Sequence, residues 1–430
     1  GKEEKPTLAG VHHKTRKRNI AVPLDPGAFA NEVIRIFGEA WKEGCSVQEH
    51  LDAGVKVLET SDLNFNRYGD TLFEVLFAGG RMAAGASLAQ DAGEKFNAHL
   101  FAAAAEREAI YPYIKMFQTL VRRRPFLIRS LERIAVKLLK SLEFFDEEGR
   151  KKLAIATSLM FSPEIKLGLL PDNTLTALLN DRLVQKGTVL EFSTAFFKEY
   201  LSEHTLDDLV SVLTKAKLAN RLLDLMPPQT RTIKEFGQHF TACGLEGLVE
   251  WHRKKVIDLK LGELKEGLSS KMDEYEPAEL LEYVKGQVDE GELPPADVLK
   301  VLWAVLIGAV NMTGKNQQQI AQALARQIRT HKKLLAVYCT TARVEASLLV
   351  TVQVYCYEDS RLLKIFSDIV RILYDASIVK EDTILYWYRK GSHQKGRNVF
   401  LKDIEPFIKW LEEADEEDDD EEDDDDDDED

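Results

Sequence analysis

The sequence predicts an all-α protein: a helical solenoid in two parts, ending in a disordered acidic tail. Three observations point there. Apolar residues recur at helical spacing almost throughout, as in Phe29, Val33, Ile36, Phe37 and Ala40. Almost no stretch alternates as a strand does, and the breaks between helical stretches are short. Finally, 430 residues with 44% hydrophobic content and 20 Phe supply core material for two or three domains.

Charge is distributed unevenly. The net charge is −15, but residues 412–430 alone hold 18 Asp or Glu and no base, which leaves 54 acids against 57 bases in the body. Such a like-charge run buries too little apolar surface to offset its ordering entropy, so disorder is expected over 417–430, and nucleic acid is repelled there. Cys45, Cys243, Cys339 and Cys356 form no C-x-x-C pair, which argues against a zinc ribbon or a thioredoxin-type site and for reduced thiols in the cytoplasm. The longest apolar run, 301–310, is too short to span a bilayer, and no signal peptide or myristoylation signal is read, so no membrane partner is expected.

Residues 1–26 read as a basic flexible arm carrying KTRKR at 14–18, a solvated segment or one that contacts RNA or directs nuclear localisation. An N-terminal helical domain is expected over 27–244. Asp25-Pro26 caps its first helix, Ser46-Val47-Gln48-Glu49 is a capping box for the second, and Phe65, Tyr68, Leu72 and Leu76 line a third. A Gly/Ala-rich loop over 79–93 follows, then helices over 96–121, 125–142, 147–161, 173–184, 188–202, 205–218 and 233–243. Successive helices with short connections suggest antiparallel hairpins stacked in the HEAT or armadillo manner. Pro227-Pro228, Gly244 and Gly247 mark a boundary near 245. The second domain, 245–416, opens on a charged helix over 248–275 and continues through an apolar helix over 296–312. A single helix over 314–339 then presents a basic face of Arg326, Arg329, Lys332 and Lys333.

No motif for catalysis stands out. There is no G-x-x-x-x-G-K-[ST], no G-x-G-x-x-G after a strand, no H-E-x-x-H and no G-x-S-x-G, so an enzyme, a cofactor, a metal or a small-molecule substrate is not expected. His239 and Cys243 share a helical face without a complementary pair.

The stretch that draws attention is the end of the chain, where tryptophan and tyrosine stand beside carboxylates twice. In the first box, KEDTILYWY, Ile384, Leu385 and Tyr388 face a core, with Glu381 and Asp382 in the first helical turn. In the second, FIKWLEEADEE, a final helix starting near Asn398 has Ile404, Phe407, Trp410 and Leu411 as its apolar stripe and Glu412 and Glu413 in its last turn. Acids at a helix C-terminus oppose the dipole at roughly 0.3–1 kcal/mol each, which suggests a use. Aromatic rings flanked by carboxylates suit lysine-rich segments, whose ammonium groups pair with the acids while the stems cover the rings. Core residence is the competing reading for both tryptophans.

At YEDSRLLKIF (357–366), LYDASIVKEDTILYWY (373–388) and FIKWLEEADEE (407–417) the chain resembles the acidic and aromatic boxes of the W2 domain. KTRKRN, RYGDTLFEVLFAGG and RRRPFLIRSLE upstream are similar to the basic leucine zipper and W2 domain proteins, the mimics of translation initiation factor five. The resemblance implies a HEAT-like domain followed by a W2 domain. It also implies binding to the lysine-rich beta subunit of initiation factor two, contact with initiation factor three through the basic face, and competition with factor five without activation of GTP hydrolysis. Carried over by position, Glu381, Asp382, Trp387, Trp410, Glu412, Glu413, Asp415, Glu416 and Glu417 would form the lysine-binding surface. Lys380 beside the first box and the long Asp-rich tail shift that weight to the second. The zipper finds no support, since Pro23 and Pro26 follow the arm and no leucine heptad follows them. Two alternatives stay open: a helical scaffold holding RNA or ribosome-associated complexes, and an acid-tail chaperone of basic proteins.

Overall fold

The structure is a computed structural model that describes residues 24–83, 97–163 and 169–422, the side chains of Asp172 and of 414–422 excepted. The KTRKR cluster, much of the Gly/Ala-rich loop and the last eight residues of the tail lie outside the described residues. Among those described, no strand forms and no helix is long and apolar enough to cross a membrane. The chain divides into two compact units between Glu250 and Trp251.

The first unit contains α1 (Pro26–Ala40), α2 (Val47–Thr60), α3 (Phe65–Ala78), α4 (Arg107–Arg123), α5 (Ile128–Leu139), α6 (Glu147–Phe161), α7 (Asp181–Gln185), α8 (Thr188–Glu203), α9 (Leu206–Lys215) and α10 (Ile233–Ala242). Its helices stack in two rows, α1–α3–α5 and α2–α4–α6–α8, the arrangement of a helical-repeat solenoid. The caps form where the sequence puts them. Asp25 accepts from the Ala28 N–H at 2.9 Å, and Ser46 and Glu49 complete a reciprocal capping box. Gly54 lets α1 and α2 approach closely, since a Cβ there would collide with the Phe37 ring. α6 is buried on nearly every side from Lys152 to Met160, which is why it shows no clean amphipathic stripe.

Two helices expected in this unit are shorter than their periodicity suggests. The helix over 96–121 begins only at Arg107. The preceding segment holds Phe101 against Phe145, at 5.2 Å between ring centroids, and offers its carbonyl to the Lys152 ammonium at 3.0 Å. Those tertiary contacts override the helical preference of the alanine run. The helix over 173–184 is likewise a 3₁₀ turn, Asp172–Leu178, followed by the short α7.

The second unit begins within α11 (Glu246–Lys271), so the boundary expected near 245 sits just before the helix in which the division falls. It continues with α12 (Pro277–Gly291), α13 (Pro295–Gly308), α14 (Gln317–Thr330), α15 (Lys332–Tyr338), α16 (Ala342–Glu358), α17 (Phe366–Asp375) and α18 (Glu381–Tyr386). A π-helical turn (Trp387–Gly391) and α19 (Arg397–Glu422) close it. Again there are two rows, α13–α16–α18 and α14–α17–α19. The two boxes therefore fall in different rows. α19 reaches Glu422, past the domain end expected at 416.

The helix expected over 314–339 is broken. α14 ends at Thr330, and His331, with φ −105° and a buried ring 3.0 Å from the Gln327 carbonyl, turns the chain into α15. A continuous apolar stripe hid the break, because Ile328, Leu334 and Leu335 are buried on both sides of it.

Candidate functional site

The first box is built from behind. Glu345 on α16, 3% exposed, accepts from the Lys380 N–H at 2.9 Å and from the Thr383 hydroxyl at 2.7 Å. A buried carboxylate so placed satisfies the start of α18 and favours its positive end. Asp382 is exposed and Glu381 half-buried on the first turn, while Ile384 and Leu385 are buried.

Trp387 is fully buried, contrary to its expected place on the lysine-binding surface. Its indole N–H donates to the Gln353 side-chain carbonyl at 3.2 Å, and its ring lies 5.2 Å from Phe366. Gln353, itself buried, also donates to the carbonyls of His393 and Lys395 at 2.8 Å and accepts from the His393 N–H at 2.9 Å. A buried indole needs such a partner, and this one ties box 1 to the loop leading into α19. The exposed aromatic of box 1 is Tyr386.

The second box lies open. Ile404, Phe407 and Leu411 are buried along α19, but Trp410 departs from the expected stripe and is 47% exposed. It stacks on Phe407 at 5.8 Å and 13°, and meets Tyr374 of α17 edge-on at 6.3 Å. The Arg371 guanidinium sits 5.4 Å from the Phe407 centroid and 5.8 Å from that of Trp410, within cation–π range of both. On the same helix, Glu412 pairs with Arg389 at 2.8 Å, and Glu405 pairs with Lys409 at 3.0 Å, which raises the Lys409 pKa. Glu413 is exposed. Asp415, Glu416 and Glu417 continue α19 in backbone, with side chains outside the described residues.

The four residues expected to form a basic face fall on two helices. Arg326 and Arg329 end α14, Lys332 and Lys333 open α15, and all four are exposed. An open groove of 570 Å³ between α14 and α17 is lined by Arg329, Lys364 and Arg371 along with Asp368 and Asp375. Arg371 thus belongs both to this groove and to the Trp410 platform, and Arg329 is the one of the four basic residues that lines the same groove.

Arg371, Arg389, Gln353 and Glu345 are the members that sequence reasoning missed. No local pattern signals them, because their partners lie 23 to 42 residues away along the chain.

Elsewhere no cluster of three or more potential metal ligands occurs among the described residues. His239 is engaged by the Thr194 hydroxyl at 2.9 Å. All four cysteines are free thiols, and burial pushes Cys339 and Cys356 up to about 12, away from thiolate chemistry.

With that geometry in view, two family profiles match the chain. The 5MP1/2 HEAT domain covers residues 13–261, and the W2 profile, described as eIF4-gamma/eIF5/eIF2-epsilon, covers 344–421. eIF5-mimic protein 1 of Danio rerio is 33% identical over 421 residues, 97% of this chain and 97% of its own. The chain belongs to the eIF5-mimic family. eIF5-mimic protein 2 of Homo sapiens is 31% identical over 417 residues, covering 96% of this chain and 97% of the relative. eIF5-mimic protein 1 of Gallus gallus is 32% identical over 421 residues, covering 96% and 99%. The W2 match encloses both boxes and Arg371 and Arg389, whereas the basic face at 326–333 precedes it.

Proposed function

We propose that the chain regulates translation initiation by binding the lysine-rich beta subunit of initiation factor two through box 2. In this reading it competes with initiation factor five for that segment without stimulating GTP hydrolysis, and its basic face, Arg326, Arg329, Lys332 and Lys333, contacts initiation factor three. The observation that carries the reading is the half-exposed Trp410, seated on Phe407 and Tyr374 and followed by Glu412, Glu413 and the acid run. An indole face next to carboxylates takes a lysine twice, by charge and by stem. Membership of a family whose relatives are named as mimics of factor five supports the choice of partner.

The test is a titration of the lysine-rich segment, as a peptide, against the full chain and a chain ending at Leu411, over rising salt. Truncation should weaken binding by about an order of magnitude at low salt, and the gap should close as screening grows. Affinity indifferent to both salt and truncation would sink the reading.

A further inference from the structure

The platform of box 2 is already occupied by cations of its own chain. Arg371 lies over Phe407 and Trp410, Arg389 holds Glu412, and Lys409 holds Glu405. Each takes a position that an incoming ammonium would use: the ring face, or a carboxylate of the same helix. Two come from outside α19, Arg371 from α17 and Arg389 from the π-helical turn after α18. All are at the surface: the Arg389 and Glu412 side chains are 60% and 44% exposed, and Arg371 is exposed.

We propose that Arg371 and Arg389 act as resident occupants of the lysine-binding surface, so that a partner binds by exchange, its lysines displacing the two guanidinium groups. This rests on reading box 2 as the lysine-binding surface and adds what sets its affinity. The physical case is one of like charge. A lysine cannot share the Trp410 face or the Glu412 carboxylate with a guanidinium without repulsion at a few ångströms. Exposed ion pairs and exposed cation–π contacts are weak, so the arginines swing aside at modest expense. A lone cation gains little by such an exchange, whereas a run of lysines makes several exchanges on one chain and wins by effective concentration. The arginines therefore specify a polybasic segment rather than scattered surface lysines, by opposing the weaker ligand. Among the described side chains, Glu413 is the exposed box 2 acid outside these three contacts, the place where a first lysine lands.

The probe is a hexalysine peptide titrated against the full chain by calorimetry, with each variant's stability measured alongside. Arg371→Met and Arg389→Gln should each tighten binding about two- to fivefold while leaving stability equal or slightly lower. A purely structural role would lower both together. Lys285→Gln, which removes one exposed paired charge on α12, controls for the change in net charge. Double-mutant cycles localise the effect: the gain from Arg371→Met should vanish in a Trp410→Ala background, and that from Arg389→Gln in a Glu412→Gln background. Arginine variants that bind no tighter than Lys285→Gln, while Trp410→Ala and Glu412→Gln still weaken the parent, overturn the exchange and leave the box standing. If Trp410→Ala and Glu412→Gln change nothing in the parent, the box reading itself fails.

Discussion

Box 1 and box 2 draw on the same residue types, acids set beside tryptophan and tyrosine, and the fold uses them in opposite ways. Trp387 is fully buried, hydrogen-bonded to Gln353 and packed on Phe366, whereas Trp410 is 47% exposed and meets a cation. The difference follows from what each ring meets. Trp387 is closed in by Gln353 of α16 and Phe366 of α17, whereas Trp410 lies on the flank of α19 away from Ile404 and Leu411, which are buried. Composition thus marks a box, and the helix face on which its tryptophan falls decides whether the ring builds the domain or faces a partner.

The comparison is tested hardest by Trp387→Ala. Deleting a fully buried indole should cost about 3–5 kcal/mol in urea unfolding, enough to lower expression of the second unit. A loss below about 1 kcal/mol would mean that the interior placement of box 1 is wrong. Trp410→Ala should behave in reverse. Its stability change should stay within about 1 kcal/mol, because half of the ring is already in water. Hexalysine affinity should drop about three- to thirtyfold, from loss of the cation–π contact and the apolar cover for lysine stems. Equal effects of the two substitutions on binding at matched stability would erase the distinction between the boxes.

The helices and the acids were legible in the sequence because both are local. Asp25 and Ser46 cap where a first-turn pattern says they must, and Glu412 and Glu413 follow Trp410 in any register. Burial of a tryptophan is not local. Trp387 lies 34 residues from Gln353, and nothing near it in sequence announces that an amide waits there. The same limit hid Arg371 and Glu345. The break at His331 was lost for another reason: its flanks keep an apolar rhythm that a straight helix would also show. At 97–106 the alanines spoke for helix, and the packing of Phe101 on Phe145 outweighed them.

The smallest effects concern two carboxylates in different units, and they separate by sign. Asp403, on the box 2 helix, accepts from the Ser367 N–H at 3.3 Å at the start of α17. Burial, aided by the charge of Asp368, pushes its carboxyl above the usual range despite that bond. Its folded pKa exceeds its unfolded one, so the ionised form costs stability at neutral pH. That cost is relieved as pH falls through the folded value toward about 4. Asp70 in the first unit is the converse. Burial there is outweighed by Arg133, which it meets at 2.6–3.1 Å, and by Ser130, and its carboxyl is held below the usual range. Its contribution is complete above about 4 and is lost as pH drops through the folded value. Thermal unfolding of Asp403→Asn and Asp70→Asn against the parent should therefore diverge. Acidification from 7 to about 4 should raise the parent relative to Asp403→Asn, and acidification below about 4 should lower it relative to Asp70→Asn. A flat difference for Asp403→Asn would mean that α19 leaves this carboxylate in water, and with it that α17 and α19 pack less closely beneath Trp410 than the box 2 platform requires.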